Sequence, residues 1–292
     1  MPQGLGPDGS GSYTLPDDFP RDIGLVACDL DGTLLASDLI IRERTQQAIA
    51  AARSAGLRVA IATGRMFQSA LPHARAAGIV EPIICYQGAA VVDPATREFL
   101  RHEPIPLPAA REAIAVVQKL GYTLNAYVDD ELYVAAVTPE AERYAVFQHL
   151  QIHVVGDLRA WLSAPPTKLV AVGEPEQMDA LKATVVPLLG DRLHISKSLP
   201  IFLEFSRKDI TKGSGLAFLA RRLGIEQARV VAFGDAENDV ELIEWAGYGV
   251  AVANADDGLR ALADLVCPSA DEEGVAQVLE AYLAPYPTTA RS

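Results

Sequence analysis

The stretch Ile23–Thr33, IGLVACDLDGT, contains the strongest indication of the fold. Its first six residues form an almost continuous apolar run, which is typical of a parallel strand buried on both faces. Asp29 and Asp31 follow at the end of this run, and Gly32 permits a sharp turn. Two carboxylates placed in this way can converge on one point beyond the strand end.

Further apolar runs alternate with helical patterns in the first and last parts of the chain. The middle of the chain has a different pattern. The patterns predict strands over 57–62, 82–86, 229–233 and 248–252, and helices over 42–55, 66–77, 214–223, 238–245 and 274–283. Gly56 and Gly78 stand where the first two of these helices end. This alternation predicts an α/β fold with a doubly wound, mostly parallel sheet.

The middle of the chain predicts an inserted α+β unit with an antiparallel sheet. It contains a hairpin at 91–101, a Pro-rich linker at 104–108, helices over 109–120, 140–150 and 176–188, and strands over 123–128, 132–137, 168–172, 193–196 and 201–205. We therefore expect a core domain made of 22–90 and 197–285, and an inserted domain at 91–196. Residues 1–21 resemble no signal peptide and predict a flexible tail.

Composition narrows the class of protein. The 292 residues contain 25 Lys and Arg against 38 Asp and Glu, a formal net charge of −13. This acidic balance argues against nucleic acid and anionic membranes as partners. No apolar stretch reaches the ~18 residues that a membrane span needs. Three scattered cysteines predict free buried thiols in a reducing cytoplasm. The sequence leaves open whether the protein is a monomer or a homodimer.

Four segments with suggestive chemistry stand at predicted strand or helix ends. They are Asp29–Thr33, Thr63–Arg65, Lys212-Gly213 and Gly234–Asp239. Each alone could be a turn or a helix N-cap, but ligands of open α/β sheets bind beyond the carboxyl ends of strands. Two carboxylates ~4 Å apart repel by about 4 kcal/mol at an effective dielectric constant of 20, and a cation removes that repulsion. All-oxygen ligands with few histidines point to Mg²⁺.

In order and character these segments resemble the four motifs of the haloacid dehalogenase (HAD) superfamily of phosphotransferases. Asp29–Thr33 is similar to the first motif, Thr63 to the second, Lys212 to the third, and GDAEND at 234–239 to the fourth. The long insertion between Thr63 and Lys212 resembles the large α/β cap of the Cof-type hydrolases, subclass IIB. The resemblance covers residues 23–283 and implies a HAD core with an inserted α+β cap domain.

Three positions depart from the family pattern. Gln87-Gly88-Ala89 stands where Asn-Gly-Ala is usual, Val252–Ala255 reads VANA where Met-Gly-Asn-Ala is usual, and Asp209 replaces a common Gly. Gln can still donate an amide hydrogen bond, and Asp tolerates a left-handed backbone better than most residues. These changes concern contacts to substrate rather than the central chemistry.

The resemblance implies a Mg²⁺-dependent phosphatase that hydrolyses small phosphorylated metabolites, with sugar phosphates favoured, through an aspartyl-phosphate intermediate. Asp29 would be the nucleophile and Asp31 the general acid and base. Mg²⁺ would be held by Asp29, the backbone carbonyl of Asp31, and Asp235. The phosphate oxygens would be bound by Thr63, Gly64, Lys212 and Asn238. Asp239 would support the metal or Lys212, and Arg65 could either contact the phosphate or close the crevice.

Within the insertion the sequence is less informative. Six residues could face the site, although most are expected on the solvated surface: Tyr127, Asp129, Asp130, Tyr133, Arg143 and Lys168. Two other functions stay open, a sugar phosphomutase and a non-catalytic, receiver-like module that binds Mg²⁺ and phosphate. The DxD spacing, the GDxxND loop and the long insertion all disfavour the receiver.

Overall fold

The computed structural model describes residues 13–148 and 150–284. In chain order the strands are β1 (Leu25–Cys28), β2 (Arg58–Ile61), β3 (Ile83–Cys85), β4 (Ala90–Val92), β5 (Phe99–His102), β6 (Leu124–Val128), β7 (Glu131–Val134), β8 (Ile152–Val154), β9 (Lys168–Val172), β10 (Leu193–Leu199), β11 (Phe202–Arg207), β12 (Val230–Gly234), β13 (Tyr248–Val252) and β14 (Leu265–Cys267). The helices are α1 (Glu43–Ser54), α2 (Phe67–Ala76), α3 (Leu107–Lys119), α4 (Pro139–Gln148), α5 (Leu158–Trp161), α6 (Pro175–Leu189), α7 (Lys212–Leu223), α8 (Val240–Trp245), α9 (Asp257–Leu262) and α10 (Gly274–Leu283). Sequence patterns missed the short elements β8, β14, α5 and α9.

A parallel five-stranded sheet has the strand order β14-β13-β12-β1-β2. Its strands are apolar and almost wholly buried, as expected for strands covered on both faces. Cys28 pairs in register with Phe233 of β12 and with Ile61 of β2. The three strands therefore end at the same edge of the sheet, and the loops that follow them begin side by side.

The predicted third parallel strand forms part of a different sheet. β3 pairs antiparallel with β4, and β4 with β5, in a small three-stranded sheet. One parallel bridge, between Ala62 and Ile84, connects it to the end of β2. The hairpin predicted at 91–101 is therefore present as β4 and β5, and it belongs to the same sheet as β3.

A six-stranded sheet has the order β10-β11-β9-β6-β7-β8 and is antiparallel except for the β7–β8 pair. Alternate residues of β9 and β11 enter different cores. Leu169, Ala171, Leu203 and Phe205 pack in a core with α3 and α6, whereas Val170 and Phe202 join the core of the parallel sheet. The predicted fold class, a doubly wound core with an inserted α+β cap, is confirmed.

The predicted domain boundary at 196/197 falls inside β10, and the six-stranded sheet continues to Arg207. The antiparallel pairing of β10 with β11 crosses the predicted boundary, so we place the return to the core after Arg207. The division into core and cap domains stays a prediction with this altered boundary.

The N-terminal segment is packed where it is described. Phe19 is buried, and its ring contacts Tyr248 at a centroid distance of 5.0 Å and Tyr282 at 6.3 Å. This contact differs from the flexible tail predicted for 1–21, because an aromatic ring at position 19 fills a groove of the core. Residues 1–12 lie outside the described residues. In the described part of the chain, no helix is long and apolar enough to cross a membrane.

Candidate active site

Lys212 lies buried between two carboxylates. Its Nζ is 2.5 Å from Oδ1 of Asp29 and 2.6 Å from Oδ1 of Asp239. A capping box starts α7 at this lysine, because Thr211 and Ser214 exchange side-chain and backbone hydrogen bonds. The helix therefore begins two residues earlier than predicted, and its first residue points to the end of β1.

Asp239 holds both the lysine and the loop after β12. Its Oδ1 accepts from Lys212, and its Oδ2 accepts from the backbone N–H groups of Asp235 at 3.0 Å and Ala236 at 3.2 Å. The side chain is fully buried. Both oxygens of Asp239 are thus engaged by the protein, which leaves Asp29 and Asp235 as the freer carboxylates of the cluster.

Three carboxylates gather at this edge of the parallel sheet. One oxygen each of Asp29, Asp235 and Asp239 lies within 4.8 Å of the other two. Burial raises the pKa of Asp29 to about 7, although Lys212 opposes the shift. Burial, with repulsion from Asp29 and Asp239, raises the pKa of Asp235 to about 9. The cluster is therefore short of positive charge, even with one lysine inside it.

The backbone leaves room for this cluster at Gly32. The residue has φ +82°, and an added Cβ would lie 2.3 Å from Oδ2 of Asp235. A side chain here would fill the space beside the carboxylate and strain the turn. Thr33, the next residue, donates its hydroxyl to Oδ1 of Asp235 at 3.3 Å.

Asp31 pairs with Arg65 and is not a member of the three-carboxylate cluster. The guanidinium binds it through two bonds, Nε to Oδ2 at 2.8 Å and Nη2 to Oδ1 at 2.6 Å. Arg65 is 3% exposed. The bidentate geometry fixes the Asp31 carboxylate at the mouth of the cleft. Arg65 thus binds Asp31. Neither of its predicted roles, contact with phosphate or closure of the crevice, included this ion pair.

A narrow cleft lies between the end of the parallel sheet and the six-stranded sheet. Asp29, Asp31, Thr63, Gly64, Arg65 and Asn238 line it from one side, and Ser198, Leu199, Phe202 and Glu204 from the other. Of the predicted site residues, Lys212 and Asp239 lie behind Asp29, and Asp235 lies beside it. The structure therefore brings all four sequence segments to one place.

Sequence reasoning missed the wall supplied by β10 and β11. Glu204 is buried and accepts from Lys168 Nζ at 3.1 Å, Ser198 Oγ at 2.7 Å and Gln87 Nε2 at 2.7 Å. Lys168, one of the six insertion residues that could face the site, is 1% exposed. The available signal was a charged residue among the apolar residues of each strand, Lys168 in KLVAV and Glu204 in FLEFSR.

The other insertion residues considered from sequence serve different contacts. Asp130 accepts from the backbone N–H groups of Phe67 and Gln68, each at 3.2 Å, and from the Tyr86 hydroxyl at 2.5 Å. It therefore caps α2 from the β6–β7 turn. Tyr133 stacks on Trp161 with a centroid distance of 4.4 Å. Arg143 is largely exposed and pairs with Glu140 and Glu174.

Over most of its length the chain is similar to one family of hydrolases. A family model described as haloacid dehalogenase-like hydrolase matches residues 26–279. The 5-amino-6-(5-phospho-D-ribitylamino)uracil phosphatase of Bacillus subtilis is 29% identical, with 89% of this chain and 97% of the relative covered. The pyridoxal phosphate phosphatase of Escherichia coli is also 29% identical, with 89% and 98% covered. A crystal structure from Thermotoga maritima has a TM-score of 0.76 at 32% identity, with 88% of this chain and 97% of that chain covered.

Proposed function

The chain belongs to the haloacid dehalogenase-like hydrolase family and is a phosphatase, and we propose that it hydrolyses sugar phosphates with Mg²⁺ through an aspartyl-phosphate on Asp29. The observation that supports this most is the position of Asp29. It lies at the end of β1, lines the cleft, and is held by the buried ammonium of Lys212 beside a second carboxylate, Asp235. A carboxylate in this setting is a suitable nucleophile for phosphorus.

The donor set fits a magnesium ion. Carboxylate oxygens are hard ligands of the kind that Mg²⁺ prefers, and the raised pKa values of Asp29 and Asp235 reflect burial and crowding that a cation would relieve. Asp29, Asp235 and the backbone carbonyl of Asp31 would hold the ion. When bound, it would supply positive charge that lets a phosphate dianion approach an anionic nucleophile.

The chemistry divides into two displacements at phosphorus. In the first, a carboxylate oxygen of Asp29 attacks, the bond from phosphorus to the leaving oxygen breaks, and Asp31 gives its proton to that oxygen. In the second, the Asp31 carboxylate takes a proton from water, whose oxygen attacks phosphorus and releases Asp29 and inorganic phosphate. Both oxygens of Asp31 accept from Arg65, which holds the carboxyl group in place at the cleft.

The phosphate oxygens have several donors close to Asp29. Lys212 uses two of its three N–H bonds on Asp29 and Asp239, so one remains. The Thr63 hydroxyl accepts from the backbone N–H of Arg65 at 3.1 Å, and its own proton is free to be donated into the cleft. Gly64 and Asn238 also line the cleft. Asn238 donates its amide to Gln87, so we assign it to the edge of the phosphate site.

The organic part of the substrate would lie against the β10–β11 wall. Ser198 and Glu204 are polar, and Leu199 and Phe202 are apolar. Hydroxyl groups of a sugar can donate to Oγ of Ser198, and its carbon atoms can pack on Phe202. The relatives that act on a ribityl phosphate and on pyridoxal phosphate agree with a small phosphorylated metabolite as substrate.

The test is phosphate release from a panel of hexose, pentose and pyridoxal phosphates, with Mg²⁺ and with EDTA. We expect Mg²⁺-dependent release that is fastest with a sugar phosphate and abolished in Asp29→Asn. Quenched wild-type enzyme should carry phosphate on the peptide that contains Asp29. Release in EDTA, turnover by Asp29→Asn, or a faster reaction with pyridoxal phosphate would each contradict the corresponding part of the proposal. Formation of an isomeric sugar phosphate without phosphate release would identify a mutase instead.

A further inference from the structure

A buried ion pair on the six-stranded sheet reaches across to the parallel sheet. Lys168 on β9 and Glu204 on β11 lie on the same face, because Glu204 pairs in register with Val170, two residues from Lys168. Their side chains are 1% and 4% exposed, and they are 3.1 Å apart. Two charges are costly to bury unless further hydrogen bonds satisfy them. The groups that form hydrogen bonds with Lys168 and Glu204 therefore indicate what the pair does in the structure.

Lys168 holds the peptide that follows Thr63. Its Nζ donates to the carbonyl oxygen of Gly64 at 2.5 Å, and the N–H of the same peptide unit, on Arg65, donates to Oγ1 of Thr63 at 3.1 Å. The orientation of this peptide therefore determines with which lone pair Oγ1 of Thr63 accepts the hydrogen bond from Arg65. The hydroxyl proton is left to point into the cleft.

Glu204 determines the orientation of two side-chain amides, first that of Gln87 and, through Gln87, that of Asn238. A carboxylate only accepts hydrogen bonds, so Gln87 turns its Nε2 toward Glu204 at 2.7 Å. The Oε1 of Gln87 then accepts from Nδ2 of Asn238 at 3.1 Å. Asn238 is left with Oδ1 buried and without a hydrogen-bond partner among the described residues. Nδ2 of Asn238 carries a second N–H, so the charge on Glu204 fixes the donor end of this amide and leaves one N–H for a phosphate oxygen.

We propose that Lys168 and Glu204 are positioning residues, which orient Thr63 and Asn238 of the phosphate site from the facing sheet through Gly64 and Gln87. The proposal rests on the phosphatase function proposed above. Neither arm is complete unless the six-stranded sheet is docked, because Lys168 and Glu204 belong to that sheet. Position 87 is one of the departures from the family pattern, with Gln in place of Asn. In this chain the Gln87 side chain connects Glu204 to Asn238.

The first test replaces the pair with apolar residues, Lys168→Met together with Glu204→Leu. Replacement of a whole buried pair leaves no unpaired charge, so the fold should persist. We expect the inhibition constant of inorganic phosphate to rise about tenfold, the effect of losing one oriented hydrogen bond. The value of kcat/KM should fall by a similar factor for every phosphate ester, since Thr63 and Asn238 lie at the phosphate. The matched control, Arg192→Gln with Glu112→Gln, removes an exposed ion pair of the same insertion and should change neither value.

The second test separates positioning from simple packing. Gln87→Met breaks the connection and leaves the ion pair intact, so it should also weaken phosphate inhibition. Added to the double variant, Gln87→Met should cause no further loss, because the amide no longer has a carboxylate to orient it. Multiplying defects, or a folded double variant with wild-type phosphate inhibition, would overturn the proposal. If the double variant fails to fold, wild-type inhibition in Gln87→Met overturns it. An inactive wild-type enzyme would instead refute the proposed function.

Discussion

Replacement of Asp235 by Asn should stabilise the metal-free protein, although Asp235 is a proposed ligand. Burial and repulsion by Asp29 and Asp239 raise the pKa of Asp235 from its ordinary value of 3.8 to about 9. An acid whose pKa is higher in the folded state takes up a proton on folding at neutral pH, and this costs stability. Asn removes the titrating group and can still accept the hydrogen bond that Thr33 donates.

The magnitude follows from the pH interval over which the folded and unfolded states differ. Below pH ~4 Asp235 is protonated in both states and costs nothing. Above that pH the cost grows by about 1.4 kcal/mol per unit until pH ~9, which gives on the order of 4 kcal/mol at pH 7. Asp29 shares the excess charge, so we expect Asp235→Asn to raise the free energy of unfolding by about 2 kcal/mol at pH 7 in EDTA.

The measurement is urea unfolding of the wild type and of Asp235→Asn, between pH 5 and 8, with EDTA or Mg²⁺. In EDTA the advantage of the variant should increase with pH. Mg²⁺ at about 100 times its dissociation constant should stabilise the wild type by about 2.7 kcal/mol, and the variant much less. The exposed Asp256, changed to Asn, is the control and should alter neither quantity. A variant less stable than the wild type in EDTA, or equal stabilisation of both proteins by Mg²⁺, would refute the reasoning.

Three further predictions concern individual contacts. Asp31→Asn should abolish steady-state turnover and lower the free energy of unfolding by about 1–3 kcal/mol, because buried Arg65 loses its charged partner; an active or fully stable variant in urea titrations would contradict this. Asp130→Ala should cost about 1–2 kcal/mol in the same titration, because α2 loses its N-cap, whereas Asp129→Ala at the neighbouring turn position should cost less. Gly88→Ala should yield little folded protein, because the residue has φ +90° and an added Cβ would lie 2.0 Å from the carbonyl oxygen of Thr211; wild-type thermal stability would show that the helix start can move aside.

The sequence predicted the residues at the strand ends well, because a buried parallel strand has a recognisable apolar pattern. A strand buried on both faces must be apolar, so Asp29 and Asp235 stand out where β1 and β12 end. In-register pairing of those strands then places both carboxylates at one edge. The left-handed conformation at Asp209, with φ +64°, was likewise compatible with the residue type.

The sequence predicted the facing wall poorly. Lys168 and Glu204 lie on strands 36 residues apart, and each alone resembles a polar position at a strand edge. Asp31 and Arg65 each had several possible partners. Such contacts depend on how two sheets dock, which local patterns do not encode.

The amino-acid sequence alone determined most of the strands and helices, the presence of the inserted cap, and the acidic and basic residues that follow the buried strands. These properties depend on periodicity and on residue type at strand ends, which are local. The tertiary structure decided the partners: Asp239 holds Lys212, Arg65 holds Asp31, and Glu204 faces the cleft. Partners of buried charges are selected by desolvation, since a charge removed from water must find the opposite charge or a hydrogen bond that the fold brings to it.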